Sequence, residues 1–308
     1  MPQKSERNFQ QKQFLKNGLN LLKLFTVFAK IGATNVTVVP EQEKPDGNFP
    51  TAPYPNPEIR QAFECALKLA ETVKPDLLLA TDPDCDRLGV AVRRNGDYAR
   101  MTGNQSAAVL LEYILSNRAK QGTIPENGVM FNTVVTSDLG DRVCAKYGVS
   151  TEKTLTGFKF IGDKIYKHEL AGDKTFVFGY EESYGCLPGT YARDKDAVVA
   201  TLLLCELVAV LKRQGKTLSD AMKDMYEKYG YVVGRVVSIT LEGIDGMQQI
   251  ASIMEKAEKN PMRELGGIKI KALRNYGKDV REDFETGEKT PIGFEPSKVL
   301  YFELSGGG

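Results

Sequence analysis

Apolar positions along this chain recur in two alternating rhythms. Ile59, Phe63, Leu67 and Ala70 share one face at helical spacing and predict a helix over 58–73. The continuous run "DLLLA" (76–80) reads as a buried strand, and "LGVAVRR" (88–94) as a second, with "NG" at 95–96 turning the chain before "DYARM". Upstream, residues 19–31 are apolar and helix-prone and "NVTVVP" (35–40) is strand-like. Residues 41–58, "EQEKPDGNFPTAPYPNPE", form a long loop rich in Pro and Gly.

From about residue 100 the alternation resumes. "TGNQSAAVLLEYILSNRAK" is a helix capped by Thr102, "GVMFNTVVT" a strand, "SDLGDRVCAKYG" a helix closed by Gly148, and "TEKTL" a short strand. "KTFVFGYEESYG" runs from strand into loop, and "DAVVATLLLCELVAVLKRQG" is a strongly apolar helix. Alternating β and α segments predict α/β domains with largely parallel sheets. Near residue 230 the rhythm changes. "RVVSITLEG" (235–243), a helix near 245–258, "IKIKALRN" and "KVLYFEL" predict three strands around one helix, an incomplete α+β unit. Its last strand, Val299–Leu304, presents a pairing edge unless it lies inside the sheet. The domains expected are 1–100, 101–228 and 229–308.

Composition narrows the picture. A length of 308 residues suits two or three domains. With 41 basic and 40 acidic side chains there is no basic excess, so nucleic-acid and membrane partners are not expected. Cysteines 65, 85, 144, 186 and 205 are scattered without a C-x-x-C pair, which reads as reduced thiols in a cytoplasm. No apolar stretch approaches the roughly 18 residues of a membrane span. The polar start "MPQKSERNFQQKQ" lacks the apolar core of a signal peptide, so export is not expected, and the final "SGGG" reads as a frayed or engineered end.

The concentrated chemistry is "TDPDCDR" (81–87), directly after the first buried strand. Carboxylates this close resist ionising beside one another, so water or a cation must neutralise them. A short loop can turn Asp82, Asp84 and Asp86 toward one point, and three carboxylates suit a hard cation, Mg²⁺ or Ca²⁺. An EF-hand counted from Asp82 needs Gly at its sixth position and Glu at its twelfth; here stand Arg87 and Arg93. A haloacid-dehalogenase-type phosphatase, with Asp82 as nucleophile, is the stronger rival. A solvated acidic turn is the plainest reading.

The loop has company. "VVPEQEKPDGNFPTAPYPNPE", "ATDPDCDRLGVAV", "LTGFKFIGDKI", "FGYEESYG" and "YARDKDAV" follow one another in this order. Together they resemble the α-D-phosphohexomutase superfamily, in its bacterial phosphoglucomutase/phosphomannomutase branch, from about residue 30 to residue 304. The resemblance implies two similar phosphohexomutase-type α/β domains followed by part of a smaller α+β domain of the TATA-binding-protein type. It implies a phosphoserine that phosphorylates a hexose phosphate and takes phosphate back from the hexose 1,6-bisphosphate so formed. Asp82, Asp84 and Asp86 match the magnesium ligands and Arg87 the arginine closing their loop. Glu181 and Ser183 match the sugar-binding loop, although Tyr180 replaces the Gly of many relatives. Lys195 matches a lysine near the reacting hydroxyl, an acid/base or phosphate-binding candidate. Thr156, Gly157 and Lys159 match a substrate-approaching loop. His168 matches nothing and is expected on the surface.

The departures set the other expectation. The family nucleophile lies in a loop reading roughly T-A-S-H-N-P, but here the sole histidine follows Lys167, so no Ser-His pair exists. The R-P-S-G-T-E-P phosphate loop is absent too. The chain is therefore expected to hold mutase domains two and three with the front of domain four, and to be inactive alone. A stand-alone module binding metal or sugar phosphate is the remaining alternative to the phosphatase.

Overall fold

The computed structural model describes residues 14–17, 27–30, 32–33, 35–44, 46–237 and 239–306. Of the helix-prone stretch 19–31 only 27–30 are described, and they are helical; the rest lies outside the described residues, as do the first 13 residues and the last two. Residues up to Gly234 form one compact unit and those from Arg235 a second.

Among its described residues the first unit contains two sheets. One is built from β1 (Phe14–Asn17), β2 (Val36–Val38), β3 (Leu77–Thr81), β4 (Leu88–Arg94) and β5 (Asp97–Met101), in the order β2-β1-β3-β4-β5. The other comprises β6 (Gly128–Thr133), β7 (Ser150–Thr154), β8 (Thr175–Tyr180) and β9 (Cys186–Leu187), in the order β7-β6-β8-β9. Both are mixed: the second is largely parallel as expected, with only the two-residue β9 reversed, while the first corrects that expectation with two antiparallel strands. β2, β1 and β3 are parallel, and so are β7, β6 and β8, but β4, β5 and β9 run antiparallel to their neighbours. The connections explain this. Residues 82–87 and the pair Asn95-Gly96 are too short for the dozen-residue crossover that a parallel partner needs. Asn95 (φ 52°) and Gly96 (φ 88°) are both left-handed, as a two-residue hairpin turn with the right twist requires.

Helices α1 (Glu64–Val73), α2 (Gly103–Gln121), α3 (Leu139–Lys146), α4 (Phe158–Ala171), α5 (Ala197–Arg213) and α6 (Leu218–Tyr229) cover the sheets. Period-two alternation on β3 sorts its side chains between two cores. Leu78 and Ala80 pack with Phe63, Ala66 and Ala70 around α1, while Leu77 and Leu79 enter a larger core. That larger core continues through Val90, Leu111 and Leu204 to Met130 and Phe178 of the other sheet. On the far side of β6, Val129 and Phe131 meet Ile161 and Ile165 of α4. One apolar core therefore fixes the two sheets against each other, and with them the loops at their strand ends.

Polar residues place the helix starts. Thr102 Oγ1 accepts from Gln105 N at 3.2 Å, and the Gln105 side chain accepts from Thr102 N at 2.9 Å, the reciprocal arrangement expected of a capping box. Asp196 Oδ1 accepts from Val198 N (2.8 Å) and Val199 N (3.1 Å), opening α5.

The second unit holds α7 (Gly243–Lys259), β10 (Glu264–Leu265), β11 (Ile268–Asn275), β12 (Val280–Asp283), β13 (Lys289–Pro291) and β14 (Leu300–Leu304). Its sheet is antiparallel, β10-β11-β12-β13, with β14 also paired to β11. The expected strand over 235–243 is not formed: its described residues carry no ladder, and α7 starts at Gly243. β-branched residues favour extended backbone, but a strand exists only where a neighbour takes its hydrogen bonds. Among the described residues β14 pairs only with β11, so the edge expected at the last strand stands.

His168 corrects a further expectation. Its side chain is only 17% exposed, with Nδ1 2.8 Å from Asp173 Oδ1 and Nε2 3.2 Å from Glu152 Oε1, and its ring stacks on Phe131. Glu152 on β7 also accepts from Lys164 Nζ (2.7 Å) and Lys174 Nζ (2.8 Å). Burial pushes the Glu152 carboxyl up, but the two ammonium groups outweigh it and bring it down to about 2. A carboxyl depressed on folding stabilises above its unfolded value, near 4.5, and loses that contribution as pH falls toward 2. Glu152→Gln is expected to cost about 1 kcal/mol at neutral pH, given partial solvent screening. In urea unfolding the gap from the parent chain closes between pH 4.5 and 2; a gap unchanged across that window contradicts the assignment.

Candidate functional site: a carboxylate loop joined to a second loop

β3 ends in the carboxylate loop. One oxygen of each of Asp82, Asp84 and Asp86 lies within 4.8 Å of the others. The loop closes on itself: Asp82 Oδ1 accepts from the backbone N–H groups of Asp86 (3.2 Å) and Arg87 (3.0 Å), and Cys85 N donates to Asp82 O. Cys85 takes a left-handed φ of 63° to make the turn, a conformation that side chains other than Gly rarely adopt. Arg87 returns across the cluster, with Nε 3.3 Å from Asp82 Oδ2 and 3.7 Å from Asp86 Oδ1, and Nη1 3.3 Å from Glu58 Oε1.

The electrostatics within the loop are uneven. Asp82 is 7% exposed, and burial, together with the neighbouring Asp86 side chain, raises its carboxyl above the usual range. Burial pushes Asp86 up as well, but the hydrogen bond from Lys195 and its other neighbours outweigh it and hold that carboxyl low. Asp86 Oδ1 is buried without a hydrogen bond and meets the Arg87 guanidinium only at 3.7 Å. A buried anionic oxygen held that loosely has capacity for a closer cation. Three convergent carboxylates fit a hard divalent cation.

The loop is tied to the second sheet. Lys195 Nζ lies 2.9 Å from Asp86 Oδ2 and 3.8 Å from Glu181 Oε2, and its side chain is 12% exposed. Glu181 follows β8 directly and is 4% exposed; burial raises its carboxyl against the pull of the Gly157 N–H and Lys195. Gly157 N donates to Glu181 Oε1 at 2.7 Å from a backbone at φ 119°, a value that favours Gly. Further backbone bonds join the segments: Leu88 N to Tyr184 O, Ala197 N to Cys85 O, and a bridge between Arg87 and Gly185.

Of the residues singled out from sequence, Asp82, Asp84, Asp86, Arg87, Lys195, Glu181 and Gly157 thus form one connected group. Ser183 lies half-buried in the turn after Glu181. Thr156 and Lys159 stand exposed beside Gly157, with the Lys159 ammonium 4.9 Å from the Phe160 ring centroid. Tyr180 is fully buried, its ring filling space beside Gly140 where a Cβ would come 2.3 Å from its hydroxyl oxygen.

Two carboxylates escaped the sequence reading. Glu58 braces Arg87, and its own carbonyl accepts from Arg100 Nη1 at 2.8 Å. Glu182 accepts from the Thr133 and Thr136 hydroxyls at 2.9 and 3.0 Å, joining the loop after β8 to the end of β6. Both belong to quoted motifs, "PNPE" and "GYEESYG", but only the fold reveals what they touch.

Comparison with known proteins follows the same division. Residues 15–96 match the family model described as phosphoglucomutase/phosphomannomutase, alpha/beta/alpha domain II, and residues 102–229 match that of alpha/beta/alpha domain III. A phosphoglucomutase of Staphylococcus aureus is 37% identical over 269 residues, covering 82% of this chain and 48% of the relative. The chain thus spans about half the length of the curated relatives it matches. Two solved structures share the fold. Parafusin, a phosphoglucomutase of Paramecium in its open form, superposes with a TM-score of 0.57 at 19% identity, over 96% of this chain and 48% of its own. A phosphoglucomutase/phosphomannomutase family protein of Burkholderia thailandensis gives 0.55 at 18% identity, over 69% and 42%.

If the three aspartates hold a cation together, Asp84→Asn removes one ligand charge from an exposed position without disturbing the core. Calorimetric titration with magnesium chloride is expected to show a loss of affinity on the order of tenfold. Equal affinity in the two proteins would remove Asp84 from the ligand set.

Proposed function

The chain belongs to the phosphoglucomutase/phosphomannomutase family, and from that premise we propose that it supplies the metal-binding and sugar-binding loops of a mutase acting on hexose phosphates. In this reading residues 1–100 are the second mutase domain, 101–228 the third, and 229–308 part of the fourth. A phosphoserine outside these residues hands its phosphoryl group to the sugar phosphate, and the hexose 1,6-bisphosphate returns its other phosphate to the serine. The observation that carries the reading is the convergence of the Asp82, Asp84 and Asp86 carboxylates, one salt bridge away from the loop matching the sugar site.

Asp82, Asp84 and Asp86 would hold Mg²⁺, which when bound draws charge off phosphoryl oxygens during in-line transfer. The protein's own residues do the positioning. Arg87 spans Asp82, Asp86 and Glu58 and keeps the loop closed around its carboxylates. Glu181, acceptor-only when ionised, suits a sugar hydroxyl, and Ser183 a neighbouring one. Thr156, Gly157 and Lys159 approach the substrate from the next loop, Gly157 already fixing Glu181. Lys195, between the two loops, would act as a phosphate contact or acid/base group. Scattered free thiols and a hexose-phosphate substrate support a cytoplasmic reaction; among the described residues no helix is long and apolar enough to cross a membrane.

The phosphatase reading requires Asp82 as a free nucleophile. Its Oδ1 instead accepts two backbone N–H groups and its Oδ2 faces Arg87, which disfavours attack.

Two outcomes test the proposal. The 308 residues contain no Ser-His pair, so the chain alone is expected to show no conversion of glucose 1-phosphate to glucose 6-phosphate, even with glucose 1,6-bisphosphate added. Catalytic turnover in a preparation free of host mutase would place the nucleophile within this chain. In the whole protein, Glu181→Gln should raise KM and lower kcat/KM by about 1–3 kcal/mol, the cost of one unpaired polar contact. Magnesium affinity should stay nearly unchanged; a variant that loses metal but keeps sugar affinity would overturn the division of labour between the loops.

A further inference from the structure

Lys195 is held in an unusual way for a long, flexible side chain. Its stem lies against the α-carbon of Gly185, where an added Cβ would come 2.0 Å from Cδ and 2.7 Å from Cγ. The backbone on its C-terminal side is pinned, Asp196 N donating to Cys186 O and Ala197 N to Cys85 O. From this track the ammonium reaches three carboxylates: Asp86 at 2.9 Å, Asp194 at 3.5 Å and Glu181 at 3.8 Å, with the Phe158 ring centroid 5.6 Å away. It is engaged with Asp86, and two alternative acceptors lie within an ångström of the same reach.

Competition for one carboxylate decides which acceptor prevails. The Lys195 ammonium occupies Asp86 Oδ2, while Glu58 faces Arg87 and Asp194 and Glu181 lie within reach of Lys195. A divalent cation held by Asp82, Asp84 and Asp86 would sit beside that ammonium on a shared carboxylate, a repulsion relieved when the ammonium turns to the neighbouring acceptors. Arg87 is anchored on Glu58 as well, and two of its contacts are to different aspartates. Lys195 has a single ion pair to the loop, through a point charge at the end of its stem, and other acceptors lie within reach of that same stem position. Like charges in a partly buried cluster repel strongly, so the weaker-held cation leaves.

We propose that Lys195 is the resident counter-ion of the aspartate loop, and that a divalent cation binding there releases its ammonium from Asp86 toward Glu181 and the loop after β8. Lys195 is then a positioning residue that couples the two loops: metal occupancy sets whether its ammonium faces the carboxylates of the first or of the second. By linkage, whatever holds Lys195 away from Asp86 tightens metal binding by the same factor. The inference rests on the reading of the loop as a divalent-cation site.

The test uses the 308-residue chain and magnesium chloride. The ammonium resonance of Lys195, assigned by its loss in Lys195→Met, is followed by ¹⁵N NMR during the titration. It is expected to shift with the same midpoint as the calorimetric binding curve. Lys195→Met, which keeps the stem and removes the charge, is expected to bind Mg²⁺ about fivefold or more tightly than the parent; Lys195→Gln serves as a second neutral variant should the first fold poorly. If Mg²⁺ binds the parent chain while the resonance stays still and both neutral variants bind equally or more weakly, the release is overturned and the cation site stands. If the parent chain binds no Mg²⁺, the cation site itself falls and the release falls with it.

Discussion

Three carboxylates at the end of a buried strand cannot be left to themselves, and neutralising them organises much of the first unit. Asp82 is nearly sealed from solvent, so its charge must be met by donors from the protein. The loop provides some through its own backbone, at the cost of a left-handed Cys85. The rest come from elsewhere: Arg87 folds back with Glu58 steadying it, and Lys195 arrives from the segment before α5. The charge cluster thereby binds together segments more than a hundred residues apart in the chain.

Such an arrangement needs a rigid frame, because a salt bridge between separate elements is only as well placed as the elements. The frame is the apolar core shared by the two sheets, running from Leu77 and Leu79 through α2 and α5 to Met130 and Phe178. Both loops leave strands buried in that core, so their separation is set by close packing rather than by the charges they carry. Gly185 adds local precision. It is the absence of a side chain there that lets the Lys195 stem pass.

Much of the architecture was legible in the pattern of residues. The buried strand 77–81, the hairpin at Asn95-Gly96, the Thr102 cap and the apolar helix from Ala197 all form where period and punctuation put them. These are local features, decided by hydrophobic spacing, turn chemistry and capping within a few residues. The misreadings share one cause. Largely parallel sheets were expected from alternation alone, yet in the first sheet short connections turn β4 and β5 antiparallel. A strand was expected over 235–243, yet β-propensity forms no ladder without a partner. His168 was expected on the surface, yet Glu152, Asp173 and Phe131 enclose much of its ring.

The candidate site divides the same way. Three aspartates spaced two apart in a short loop were enough to single out Asp82, Asp84 and Asp86 as a convergent cluster, because neighbours in sequence cannot avoid being neighbours in space. That Asp86 shares Lys195 with Glu181, that Gly157 fixes Glu181, and that Glu58 braces Arg87 could not be read from any window of the chain. Those contacts join residues 24 to more than a hundred positions apart. Only the packing of two sheets on one core brings them within hydrogen-bonding reach. Sequence by itself determined which side chains stand out as candidates, since that is a matter of residue type and local spacing; the tertiary structure decided which of them touch one another, since distance across a fold is set by packing.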